Sequence, residues 1–116
     1  MFSQTVLDHF HNPRNVGPLE GFTHRGVAGS PGDGPYMVLS FRVTDGNIEQ
    51  AAYETHGCPA AVAAGSLVCE VLTGKTVQVA SLLEPQDVIR LLGGLPEGKE
   101  YCTDLAITAI RSAFGG

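Results

Sequence analysis

Tyr36-Met37-Val38-Leu39-Ser40-Phe41-Arg42-Val43, then Asp45-Gly46, then Ile48-Glu49-Gln50-Ala51-Ala52-Tyr53-Glu54-Thr55 is the stretch that decides the fold. In the first run Met37, Leu39, Phe41 and Val43 alternate with Val38, Ser40 and Arg42, the period of two expected of a strand with one face turned to a core. Asp45-Gly46 suits a tight turn, so the chain doubles back and Ile48 to Thr55 returns as an antiparallel partner. One face of this hairpin is apolar enough to need helical cover.

That cover is encoded on both sides of the hairpin. From Pro59 to Leu72 the pattern becomes helical, with proline in the first turn and Val62, Leu67, Val68, Val71 and Leu72 as the apolar positions. Ala60, Ala61, Ala63, Ala64 and Gly65 are small enough to let this helix lie close to its neighbours, and Gly74 ends it. Thr76 to Leu83 and Glu84 to Leu92 read as shorter helices, and Thr103 to Phe114 as a last one. Upstream, Ser3 caps a short helix over residues 3–11 carrying Val6, Leu7 and Phe10. Asn12-Pro13-Arg14-Asn15-Val16-Gly17-Pro18 stops it. Residues 28–35 are rich in glycine and proline and read as an ordered loop. The expected class is α+β: a small antiparallel β-sheet with helices packed mainly on one face, in one domain spanning residues 1–116.

Composition narrows the function. A formal net charge of −5 and the lack of any Lys/Arg cluster argue against a nucleic-acid surface. No stretch is long and apolar enough to cross a membrane, and the amino terminus lacks the basic start and apolar core of a signal peptide. Three widely spaced cysteines are a poor disulfide framework. The expectation is a cytoplasmic protein with reduced thiols.

Those thiols carry the chemistry. Cys58 (Thr55-His56-Gly57-Cys58-Pro59) sits where a strand pattern gives way to a helical one, and Cys102 (Lys99-Glu100-Tyr101-Cys102-Thr103) just ahead of another. A thiolate at a helix start is favoured by the positive end of the helix dipole, which makes it a better ligand or nucleophile. Cys69 lies roughly 16 Å further along the helix from Cys58, too far to share an ion, and its neighbours Val68, Val71 and Leu72 make it a core residue. On local sequence Cys58 reads equally as a packed junction residue or as a ligand, and Cys102 does no better alone. Asp33, in Gly32-Asp33-Gly34, is a turn residue unless the fold brings its loop beside the thiols. Two thiolates and a carboxylate would suit zinc or ferrous iron. An enzyme with Cys58 as nucleophile and His56 as base ranks lowest, because their spacing creates no hydrogen-bond geometry by itself and no oxyanion feature is evident.

Several motifs in order then join these residues. Leu7-Asp8-His9-Phe10-His11-Asn12-Pro13-Arg14-Asn15-Val16-Gly17, the loop from Gly29-Ser30-Pro31 to Met37, Thr55-His56-Gly57-Cys58-Pro59-Ala60-Ala61, Leu72-Thr73-Gly74-Lys75, and Leu95-Pro96 to Cys102 together resemble the U-type iron–sulfur cluster scaffolds. This is the IscU/SufU group, which also forms the amino-terminal domain of NifU. The resemblance implies a carrier and not an enzyme, one that holds a labile iron–sulfur cluster, iron or zinc. It also implies a cysteine desulfurase as sulfur donor, with a chaperone and apo iron–sulfur proteins as further partners. In that family three loops each give one cysteine, assisted by an aspartate and, in one branch, a histidine before the third thiol.

Carried over by position, Cys58 takes the second thiol and Cys102 the third, while the first is missing. Aligned back from Met37, Asp33 stands in the first thiol's place. With a two-residue insertion, Gly32-Asp33 becomes the family's Gly-Asp pair and Pro31 replaces the thiol. Either way a carboxylate survives. Tyr101 occupies the histidine position, and Leu95, Pro96 and Lys99 keep part of the chaperone segment. Asp33, Cys58 and Cys102 are thus the implied ligands, with the fourth left to His56, Tyr101, solvent or a partner. The alternative is an assembly-inactive relative that binds or regulates the desulfurase.

Overall fold

Asp45 and Gly46 both adopt positive φ, 52° and 78°, the left-handed pair that closes a two-residue hairpin with the right-handed twist of its strands. In the computed structural model, which describes residues 1–115, this turn joins Thr44 to Asn47. Gly116, included in the single-domain expectation, lies outside the described residues. Among the described residues the elements run α1 (Gln4–His11), β1 (His24–Ala28), β2 (Tyr36–Thr44), β3 (Asn47–His56), α2 (Pro59–Leu72), α3 (Val77–Leu82), α4 (Pro85–Leu91) and α5 (Tyr101–Phe114). The strands form one antiparallel sheet in the order β1-β2-β3. The α+β class with helices laid against a small antiparallel sheet is what the structure has.

The register puts Phe41 opposite Ala51 and Leu39 opposite Tyr53, all buried in the core that α2 and α5 cover. The expected alternation is not seen in burial, since Met37 to Phe41 are all buried with Val38 and Ser40 included, and a register shift falls between Arg42 and Val43. Val43, expected on the apolar face, is therefore only partly buried against the core, while its partner Ile48 is fully buried.

Two glycines set how closely the helices approach. A Cβ on Gly65 of α2 would lie 2.5 Å from the Tyr53 ring, so the helix can meet β3 only without a side chain there. A Cβ on Gly26 would lie 1.8 Å from the Ala109 carbonyl oxygen, so α5 rests directly on the β1 backbone. The Val27 amide also donates to Ser112 Oγ on α5 at 3.3 Å, which occupies part of the sheet's outer edge.

β1 has no counterpart in the sequence reading, which opened an irregular stretch at Ala28, the residue on which β1 ends. Five residues with a central glycine carry no strand signal of their own. Pairing with β2 and the close approach of α5 supply it. The short helices match their expected places, with Ser3 and Thr76 accepting the third amides of α1 and α3. At α5 the difference matters for the site. The helix starts at Tyr101, not Thr103, so Cys102 lies inside its first turn.

The Asn12–Gly17 segment does more than end α1. It folds back so that Tyr53 N–H donates to the Asn15 carbonyl at 2.9 Å and Gly17 N–H to the Tyr53 carbonyl at 2.8 Å, pairing alongside β3. Asn15 takes φ of 65°, a conformation asparagine tolerates better than most residues. The Arg14 amide donates to Ser66 Oγ at 3.0 Å, and the buried His9 meets the same oxygen through Nδ1 at 2.8 Å. α2 is thereby tied at its middle, and its C-terminal end returns to the hairpin through Gly74 N–H to Ile48 O at 2.8 Å.

Candidate metal centre

The starts of α2 and α5 converge. Cys58 is the residue that precedes α2, in extended backbone, and Pro59 opens the helix. Gly57 is kept bare by Ala61, whose Cβ would lie 3.0 Å from a Cβ placed there. Cys102 is fully buried in a small apolar cluster with Ala60 and Ala61, against which Cys58, Phe2 and Leu95 pack. This brings the two sulfur atoms to 3.5 Å of each other. Tyr101, the neighbour of Cys102, turns its hydroxyl towards Cys58 Sγ at 3.8 Å.

The two thiols are electrostatically unlike. Burial pushes Cys58 up, but the Ala61 amide, the Cys102 thiol, the Ala60 amide and the Tyr101 phenol outweigh it and hold Cys58 below the ordinary cysteine value. These amides belong to the first turn of α2, so the helix start favours a thiolate, as the sequence implied. Burial raises Cys102 to about 12, with the hydrogen bond to Cys58 and the charge there adding to it. Tyr101 is also raised to about 12, first because its phenol donates to Cys58 and then because of the two thiol charges. The pair therefore holds one proton firmly and gives up the other easily.

Asp33 stands apart from this. It is exposed on the loop between β1 and β2, where its amide donates to the Ser30 carbonyl at 3.0 Å. Gly32 and Gly34, at φ of 86° and 89°, flank it with open space around them. These glycines line a shallow pocket of about 300 Å³ with Tyr36 and His56. The His56 ring is exposed and stacks on Tyr36 at 6.3 Å between centroids. Among the described residues no group of three or more His, Cys, Asp or Glu side chains is placed to hold one ion. The structure thus brings Cys58 and Cys102 together and leaves Asp33 and His56 beside the pocket. Cys69 is fully buried in α2, as its neighbours implied.

Residues 1–115 match the NifU-like N terminal domain. The chain belongs to that family. Among its relatives, the iron-sulfur cluster assembly scaffold protein IscU 1 of Archaeoglobus fulgidus is 42% identical over 114 residues, covering 98% of this chain and 74% of that protein. The IscU scaffold protein of Escherichia coli strain K12 is 39% identical over 117 residues, covering 97% of this chain and 91% of that protein. Among solved structures, the putative SUF-system scaffold of Fervidobacterium islandicum superposes with a TM-score of 0.62 at 17% identity, covering 98% of this chain and 91% of that one. A NifU-like amino-terminal protein of Brucella abortus gives 0.62 at 19% identity, covering 97% and 82%. At those identities the two structures speak for the fold. As a NifU-N domain, the chain follows the motif resemblance along nearly its whole length.

Sequence reasoning left two parts of this region unread. The hydroxyl of Tyr101, named only among the candidates for a fourth ligand, donates to Cys58 Sγ at 3.8 Å. The tie from His9 and Arg14 to Ser66 was also missed, because residues 57 and 52 positions apart meet only in the fold.

Proposed function

We propose that this NifU-N chain is an iron–sulfur cluster assembly scaffold, with the cluster or its iron as cargo held by Cys58, Cys102 and Asp33. The observation that carries the reading is the 3.5 Å separation of the two sulfur atoms at converging helix starts. Two thiolates on one tetrahedral metal with bonds of about 2.3 Å stand about 3.8 Å apart, so the pair is already close to one edge of such a site. Asp33, exposed between two glycines, supplies the carboxylate. A cluster of the 2Fe–2S type usually takes four protein ligands, so a site with two thiols holds its cargo loosely. That suits a protein that must hand the cargo on. Zinc fits the same donors.

Sulfur would come from a cysteine desulfurase onto Cys58, the accessible thiol, and the acceptors would be apo iron–sulfur proteins, with a chaperone assisting through the Leu95–Lys99 segment. In this role the chain is a carrier without catalytic turnover, working in the cytoplasm. Among the described residues no helix is long and apolar enough to cross a membrane.

The test is anaerobic reconstitution with ferrous iron, cysteine and a desulfurase, followed by iron and acid-labile sulfide analysis. Wild type should carry both, Cys58→Ser and Cys102→Ser should lose both, and Cys69→Ala should retain them. A second reading is favoured by the lack, among the described residues, of any third His, Cys, Asp or Glu side chain grouped with the two thiols: a family member that occupies the desulfurase without assembling anything. It predicts no cluster on wild type, and one gained by Asp33→Cys.

A further inference from the structure

Cys58 and Cys102 differ in access as much as in environment. Cys58 is half-buried and reachable, while Cys102 is fully buried directly behind it. An electrophilic sulfur arriving from solvent therefore meets Cys58 before the buried Cys102. Cys69, the third thiol, is sealed inside α2 and takes no part. Once Cys58 carries an extra sulfur, its own Sγ becomes the inner atom of a persulfide and remains 3.5 Å from the Cys102 sulfur. That contact is with the inner sulfur. In-line displacement needs the outer sulfur opposite Cys102, on the solvent side of the half-buried Cys58.

We propose that Cys102 resolves a persulfide on Cys58, so that this chain releases its bound sulfur as hydrosulfide. The step rests on the reading above only in that Cys58 is taken as the sulfur acceptor. The Cys102 sulfur attacks the Cys58 Sγ as its thiol proton is lost, a bond forms between the two cysteine sulfurs, and the bond from Cys58 Sγ to the outer sulfur breaks. The outer sulfur leaves with the bonding pair and takes up a proton. The persulfide sulfur is reduced to sulfide, and the Cys102 thiol is oxidised into the Cys58–Cys102 disulfide. Closing the sulfur pair to a bond requires an approach of about 1.5 Å, within reach of side-chain rotation at two helix starts. A dithiol reductant of the Cys-x-x-Cys class returns the disulfide to two thiols for the next round.

This gives the missing first thiol a consequence. With three cysteines in the site, a persulfide has two thiols to move between. With two, the second thiol has one electrophile in contact, and its attack there yields sulfide directly.

The experiment uses the full chain, oxygen-free, without metal or desulfurase, and with a low-molecular-weight alkyl persulfide as donor. Rapid-quench intact-mass spectrometry follows the protein while sulfide is assayed. In wild type an adduct one sulfur heavier should rise at Cys58 and decay to a species two hydrogens lighter than the dithiol, with one sulfide per disulfide. Peptide mapping should place the bond between Cys58 and Cys102 within one chain. In Cys102→Ser the adduct should persist at least about tenfold longer, and Cys69→Ala should behave as wild type.

Equal adduct lifetimes in wild type and Cys102→Ser would overturn the proposal. So would migration of the extra sulfur to Cys102, or a Cys102→Ser chain that never gains sulfur. The wild-type time course decides even if a variant folds poorly. Because no desulfurase is present, a chain that resolves persulfide here but fails reconstitution refutes scaffolding alone.

Discussion

The sulfur of Cys58 lies 3.5 Å from that of Cys102, yet the first is reachable from solvent and the second is not. The two share hydrogen bonding so unequally that Cys58 is lowered and Cys102 raised to about 12. Alkylation by iodoacetamide should then show one reacting thiol per native chain near neutral pH. Its rate should rise with pH and level off at a midpoint below 9.0, the ordinary value for cysteine. Tyr101→Phe removes a donor that favours the Cys58 thiolate, so it should move that midpoint upward. A midpoint at or above 9.0 in wild type would contradict this electrostatic account.

Replacing Gly26 and Gly65 by alanine should show how closely the two helices rest on the sheet. At Gly65 the new methyl would meet the Tyr53 ring at 2.5 Å, a side chain that can give a little, and alanine is also the better helix former. A loss of about 1–3 kcal/mol is expected, typical of an overfilled core. At Gly26 the obstacle is backbone, the Ala109 carbonyl oxygen at 1.8 Å and the Ala113 nitrogen at 2.5 Å. Its loss should equal or exceed about 3 kcal/mol, since neither partner can turn aside. Denaturant unfolding of the two variants gives the order directly, and Gly65→Ala proving the worse would refute it.

The contrast between β1 and the β2–β3 hairpin explains what could be read in advance. The hairpin's information is local: alternation from Met37 to Phe41 and a turn pair that needs positive φ. β1 is specified by partners far away in the chain, through Gly26 against Ala109 and Val27 against Ser112. The same division holds at the site. Cys58 and Cys102 each announced a helix start, but that the two starts meet follows from how α2 and α5 pack, and the motif order conveyed it where spacing could not. Asp33 was named by alignment to that pattern. Its place on an exposed loop beside Tyr36 and His56 depends on loop conformation, on which the local sequence is silent.

Ser66 joins α1, the Asn12–Gly17 segment and α2 at one oxygen. Its hydroxyl accepts from the Arg14 amide at 3.0 Å and lies 2.8 Å from His9 Nδ1, and it is fully buried. Ser66→Ala leaves both partners without that contact, and a buried polar group left unpaired costs about 1–3 kcal/mol. The loss should appear in thermal unfolding together with faster hydrogen exchange at the Arg14 and Tyr53 amides, because Tyr53 pairs with Asn15 in the released segment. Unchanged exchange at those amides would mean the segment is held by its strand pairing alone.

His9 makes this tie sensitive to pH. The Arg14 amide donates to Ser66 Oγ, His9 Nδ1 shares a hydrogen bond with the same hydroxyl at 2.8 Å, and Nε2 faces Glu70 at 3.8 Å. Burial lowers the His9 pKa from 6.5 and the Arg14 charge lowers it further, while Glu70 and Asp8 oppose this without reversing it. The folded chain therefore binds its proton at lower pH than the unfolded one. Between the lowered value and 6.5 the unfolded state holds more protons, so stability falls as the pH drops through that window and is flat above it. Thermal unfolding from pH 7.5 down to pH 5 should show wild type losing a few degrees more than His9→Gln, whose amide can still hydrogen-bond to Ser66 but does not titrate. Parallel pH profiles for the two proteins would assign the acid sensitivity elsewhere.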